Sequence, residues 1–225
     1  MSTSRNSILE GIRRSSGVGR PGTPSESERQ QTVQARLNDT PVGIVPQRAE
    51  DDEGCLARFK EMVLASAASL ADVPNWAAVP EAVVSFLKER NLPMVLTTSL
   101  DPRLAALQDH GLLTVRRGVA LPQDLIGVVT AVGGVAETGS LVLTSGPDAP
   151  TSLNFLPDIH IICVQAADVA GGFETVWARL RAQDSLPRTV NLITGPSRTG
   201  DIEQTILMGA HGPRQVHVIV VNDGA

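Results

Sequence analysis

Two short polar clusters, each set between apolar runs, hold the residues of this chain best suited to chemistry. The downstream one is Thr194-Gly195-Pro196-Ser197-Arg198-Thr199-Gly200, followed by Asp201 and Glu203. A strand-like run, Val190-Asn191-Leu192-Ile193, leads into it, and the pattern that follows predicts a short helix opening with Asp201 and Glu203. Gly195, Ser197, Arg198 and Thr199 would then lie at a helix N-terminus. Unpaired amides and the helix dipole favour an anion there, and the Arg198 guanidinium adds a fork of donors. Capping is the competing account: Thr199 as N-cap, with Asp201 and Glu203 in the first turn, stabilises the helix without any ligand. Capping leaves Arg198 unexplained, because the dipole disfavours a cation at that end. A small anionic ligand is therefore expected. The turn lacks both the Lys-Ser/Thr of a Walker A loop and the spacing of G-x-G-x-x-G.

The upstream cluster is Glu137-Thr138-Gly139-Ser140, between the apolar runs 125–132 and 141–144. Glu137 has the chemistry of an acid/base or nucleophilic carboxylate, with the Thr138 and Ser140 hydroxyls and the Gly139 amide beside it. The same four residues suit a plain turn equally well. His211 stands in a third turn, Ala210-His211-Gly212-Pro213, ahead of the last strand-like run, 216–221. A helix of about nine residues would put roughly 13 Å between Arg198 and His211. His211 then joins the same site only through a neighbouring subunit, as in a homo-oligomer, or through an unusual connection. Otherwise it fixes the last strand. His110, His160 and His217 show no metal-ligand spacing.

The elements that must position these clusters alternate. A helical pattern runs from Cys55 to Leu70 and ends at Pro74; a second opens at Pro80 and includes Ala82, Val83, Phe86 and Leu87. Strand-like runs follow at 94–97, 125–132, 141–144 and 159–164, with a helical turn at 104–107 and a helix at 173–180 after Gly171-Gly172. Helices interleaved with short apolar strands predict an α/β fold with a mostly parallel sheet and helices on both faces. Ligands gather at the carboxyl ends of strands in such sheets, which places the site at the turn after 190–193.

Composition narrows the function classes. With 225 residues and 42% hydrophobic content the chain can bury a sizeable core, and aromatics at 3% leave Leu, Val, Ile and Ala to build it. A net charge of −5 gives no electrostatic case for nucleic acid. No apolar run reaches the roughly 18–20 residues of a membrane span, and no signal-peptide pattern opens the chain, so a cytoplasmic protein is expected. Residues 1–52 are rich in Gly, Pro and Ser and read as an N-terminal arm, flexible or draped over a core at 53–225. A partner-binding arm using Arg5, Arg13, Arg14 and Arg20 is the other reading.

The segment TGPSRTGDIEQTILMGAHGPRQVHVIVV, together with AETGSLVLTSG and LPDIHIICV, resembles the LUD-domain family, and within it the lactate-utilisation protein C branch. The resemblance covers roughly residues 59–221. One departure is Gly200, where the family usually has Ala. The resemblance implies a Rossmann-like fold related to the CoA-transferase, ribose-5-phosphate isomerase and glucosamine-phosphate isomerase group. It also implies a place in the oxidation of L-lactate to pyruvate, beside partner proteins that bind iron–sulfur clusters. This chain has two isolated cysteines, Cys55 and Cys163, where a cluster normally needs four thiolates, and no cofactor is evident. Two readings follow: an accessory protein that binds a small anion and docks onto those partners, or a CoA-transferase-like or isomerase-like enzyme using Glu137.

Overall fold

A computed structural model describes residues 2–16, 22–39, 43–200, 206–209 and 211–223. The chain divides into two units, Met1–Ile44 and Val45–Ala225. The first holds α1 (Ser2–Ser15) and α2 (Glu26–Asn38). A capping box opens α2: the Ser25 hydroxyl accepts from the Glu28 amide, and the Glu28 carboxylate accepts from the Ser25 amide. Ile8 and Ile12 of α1 and Val33 and Leu37 of α2 are exposed. Local bonding and caps account for these helices better than packing does.

In the second unit α3 (Cys55–Ala65) stops earlier than its sequence pattern predicts. Ala67 takes a left-handed φ of 65°, and the apolar residues that follow become β1 (Ser69–Val73), paired with the last strand of the chain. Sheet pairing overrides helical spacing here. Next come α4 (Val79–Glu89), with Pro80 in its first turn, β2 (Val95–Thr98), a 3₁₀ segment at Pro102–Leu107, and β3 (Thr114–Arg117). Then β4 (Ile126–Thr130), β5 (Gly133–Val135), β6 (Ser140–Thr144), β7 (Ile159–Gln165) and β8 (Val169–Ala170) precede α5 (Phe173–Arg181). The chain closes with β9 (Val190–Ile193), β10 (Arg198–Gly200), β11 (Ile206–Met208) and β12 (Gln215–Val221).

Six strands form the main sheet in the order β1-β12-β7-β4-β2-β3, every neighbouring pair parallel. Alternation along β7 and β12 loads both faces. Ile159, Ile161, Cys163, Ile219 and Val221 pack with Val83, Phe86 and Leu87 of α4. Ile162, Val164, Val218 and Val220 pack with Phe59 and Val63 of α3. The α/β class and mostly parallel sheet expected from the sequence are therefore present. The α3 face has a further cover: Leu141 and Leu143 of β6 join its cluster. They belong to a second, four-stranded sheet in the order β8-β5-β6-β9. Among the described residues no helix is long and apolar enough to cross a membrane.

The segment just ahead of α3, at the end of the predicted arm, is part of the second unit. Asp51 accepts from the Gly171 amide and from the Thr175 hydroxyl at 2.8 Å, which ties the segment to the start of α5.

Candidate functional site

The two polar clusters read from the sequence meet because β6 and β9 pair antiparallel. The register Leu141↔Ile193 sets Ser140 beside Thr194. Their hydroxyls lie 2.5 Å apart, and the Thr138 hydroxyl is 2.7 Å from that of Ser140, so three hydroxyls form one chain. Both turns rest on the end of α3. Gly139 has φ 69°, and a Cβ there would stand 2.6 Å from the Met62 carbonyl carbon and the Val63 nitrogen. Gly195 has φ 76°, and a Cβ there would stand 2.3 Å from the Ser66 carbonyl oxygen. Only glycine meets both the left-handed conformation and the close approach. Glu137 is half-buried at the head of its turn, and its amide donates to the Gly171 carbonyl at 3.0 Å.

The helix expected after this turn is replaced at both described ends by an antiparallel pair. Arg198 pairs with Met208, Thr199 with Leu207 and Gly200 with Ile206. Gly200 is a poor helix former, and Ile206 is β-branched, so the local sequence tolerates the strand. Asp201 and Glu203 lie outside the described residues. Thr199 is in β10, and among the described residues it opens no helix. The Arg198 guanidinium donates to the Ser66 carbonyl at 2.8 Å. A cation at the carboxyl end of α3 suits that helix's dipole, which explains the one residue that capping left over.

A helix was expected to separate Arg198 from His211, but the β10–β11 pair instead sets Ser197, the residue before Arg198, against both flanks of the His211 turn. The Ser197 amide donates to the Pro213 carbonyl at 2.9 Å, and the Gly209 amide donates to the Ser197 carbonyl at 2.9 Å. The loop between those two bonds carries His211, which is exposed. One chain therefore gathers 137–140, 194–198, Gly209 and Pro213 around the end of α3.

That gathering lies at the amino edge of the parallel sheet, just ahead of β1 and β12, not at the carboxyl edge. The placement rule applies to strands of the parallel sheet, and β9 belongs to the other one. At the carboxyl edge the strand order reverses between β2 and β4, and there the structure holds a network that the sequence reading missed. Asp101 accepts from the Arg103 Nη2 at 2.7 Å and from the Thr130 hydroxyl at 2.6 Å, while Arg117 donates to the Asp101 carbonyl at 3.0 Å. Burial would raise the Asp101 carboxyl, but the bonds from Arg103 and Thr130 outweigh it and hold it below its ordinary value. Arg103 in turn lies over the Trp76 ring, 4.8 Å from its centroid. The available signal was Asp101-Pro102-Arg103 directly after a buried strand, an N-cap with Pro at the first helical position.

Residues 123–221 match the family model of the LUD domain. The chain is 33% identical over 105 residues to the lactate utilization protein C of Bacillus licheniformis, covering 45% of this chain and 44% of that protein. It is 32% identical over 102 residues to the protein of the same name from Macrococcus caseolyticus, covering 44% of each. The chain thus spans less than half the length of these relatives. A crystal structure of a DUF162 family protein from Deinococcus radiodurans shares the fold, with a TM-score of 0.52 and 23% identity over 74% of this chain and 96% of that one. The LUD domain match thus spans all three joined turns and the central strands β4, β7 and β12.

Proposed function

We propose that this chain is an accessory protein of L-lactate utilisation, which binds a small anion and acts with iron–sulfur partner proteins in the oxidation of lactate to pyruvate. The observation that supports it is the LUD match over 123–221, which spans every turn gathered at the end of α3, together with relatives named lactate utilization protein C. Oxidising lactate to pyruvate removes two electrons and two protons. In this reading the partners' clusters accept the electrons, and this chain holds an anion and a docking surface. Deletion of the gene tests it: growth on L-lactate should fail while growth on pyruvate persists, and the full-length chain should restore it. A tagged chain drawn from lactate-grown cells should bring down iron-containing proteins. Equal growth of the deletion strain on lactate and pyruvate overturns the pathway role, and a pull-down free of iron overturns the partners.

A further inference from the structure

Where the joined turns meet the main sheet, the structure holds a cavity of about 190 Å³ at the amino ends of β1 and β12. It lies below the roughly 300 Å³ at which sites for drug-sized ligands begin, so only a small ligand fits. Two arginines, Arg90 from the end of α4 and Arg214 from the residue before β12, line it, and among the described residues no carboxylate does. Among the described residues the one carboxylate paired with either is Asp158, 3.9 Å from Arg214, and both side chains are more than half exposed. Such a pair screens little of the charge. Arg90 is steadied by Phe86, whose ring centroid lies 5.0 Å from its guanidinium carbon, and its Nη1 donates to the Gln215 Oε1 at 3.3 Å. Two like charges facing one small cavity repel each other when it is empty, and an anion between them relieves that repulsion.

The remaining walls narrow the ligand further. Ser69 lines the cavity, and its Oγ lies 2.8 Å from Nδ1 of His217. The His217 ring is stacked on Phe86 with centroids 4.1 Å apart, and its Nε2 is buried without a partner. Burial and the nearby Arg90 charge lower its pKa to about 4, so the ring is neutral and carries one proton. Placing that proton on Nδ1 makes a bond to Ser69 and leaves only a lone pair without a partner. Placing it on Nε2 would strand a buried N–H. The first arrangement frees the Ser69 hydroxyl proton for a ligand. Gln215, whose oxygen serves Arg90, retains its amide donors. Ala67, Ala68, Pro196 and Val216 supply apolar wall for a methyl group.

We infer that this cavity binds a small 2-hydroxy- or 2-oxocarboxylate. Arg90 and Arg214 hold the carboxylate, Ser69 and Gln215 hold the oxygen on the neighbouring carbon, and the apolar wall takes the methyl end. The ligand class rests on the lactate reading above, while the charge and size of the cavity stand apart from it. Pro196 gives the gathered turns their part: they set one wall of the cavity against the start of β1.

The test is calorimetric titration of the full chain with pyruvate, L-lactate, acetate and inorganic phosphate. Variants are Arg90→Gln, Arg214→Gln, Ser69→Ala and, as a surface control, Arg188→Gln, each checked for an unchanged thermal midpoint. Pyruvate or lactate should bind more tightly than acetate. Each of Arg90→Gln and Arg214→Gln should weaken binding about tenfold or more, Ser69→Ala several-fold, and Arg188→Gln not at all. Arg214 is exposed and outside any helix or strand, so its variant serves if Arg90→Gln fails to fold. No binding tighter than about 10 mM, or binding unaltered in Arg214→Gln, overturns the site. Phosphate binding as tightly as pyruvate overturns the carboxylate assignment. Carboxylate binding in a chain whose deletion leaves growth on lactate intact keeps the site and removes the pathway. Lost growth with no carboxylate bound does the reverse.

Discussion

Arg198 is exposed, yet one of its nitrogens is engaged by the Ser66 carbonyl at the carboxyl end of α3. An exposed cation there contributes about 0.5–1 kcal/mol, most of it electrostatic. Arg198→Ala should therefore lower the thermal midpoint by about 1–4 °C at low salt. Arg198→Lys should recover part of the loss, since charge at the helix end remains while the fork geometry goes. Raising the salt should shrink the difference between wild type and Arg198→Ala. A midpoint that Arg198→Ala leaves unmoved at low salt would mean the bond to Ser66 contributes nothing measurable. Carboxylate affinity should be little altered by the same substitution, because Arg198 is absent from the cavity lining that contains Arg90 and Arg214. Stability and binding thus respond to different arginines on neighbouring elements.

The elements that were legible in the sequence are those whose local pattern and tertiary role agree. Pro80 opens α4, Gly172 precedes α5, and the continuous apolar runs of β4, β7 and β12 are buried strands of a parallel sheet. The failures occur where pairing partners decide. The helical spacing runs on to Leu70, yet 69–73 pair with β12, and 206–208 read as helix but pair with 198–200. The second sheet was hidden because β5 and β8 are three and two residues long, too short for a period to register. At the site, the polar turns were visible as clusters, whereas Arg90 and Arg214 are lone arginines 124 residues apart that only the fold brings to one cavity. The element most dependent on an unseen partner is the Glu137–Ser140 turn, which needs α3 beneath it. Gly139→Ala would put a Cβ 2.6 Å from the α3 backbone at a φ of 69°. Adding the left-handed cost to that of overpacking, it should destabilise the protein by about 2–5 kcal/mol in urea unfolding. Gly146, with open space around its position, provides the comparison, and Gly146→Ala should cost far less. Equal urea midpoints for the two variants would mean that the turn does not rest on α3.

At the scale of the whole molecule, the two parallel strands at the centre of the core each bury a histidine. His160 of β7 is fully buried with both ring nitrogens unpartnered, and burial lowers its pKa to about 3. His217 of β12 is lowered to about 4, by burial first and by Arg90 second. Both rings stay neutral in the folded protein at pH values where the unfolded chain protonates them. The unfolded state then binds more protons than the native one, so stability falls as pH drops below about 6.5 and continues to fall until the folded values are reached. At pH 5 the loss is on the order of 2 kcal/mol for each ring, a large fraction of the 5–15 kcal/mol typical of a domain. Asp101 works in the same direction but lower down. Its carboxyl is held below the ordinary value, so its contribution disappears only as pH falls through the carboxylate range. Between pH 7 and pH 5 the two histidines should therefore dominate. Urea midpoints at pH 7.5, 6 and 5 should show a steep decline for wild type and about half that decline for His160→Leu. The substitution removes one titrating ring and two unpartnered nitrogens together, so at pH 7.5 the variant should be at least nearly as stable as wild type. Parallel declines for the two proteins would place the proton uptake elsewhere and show that His160 does not stay neutral because of its burial.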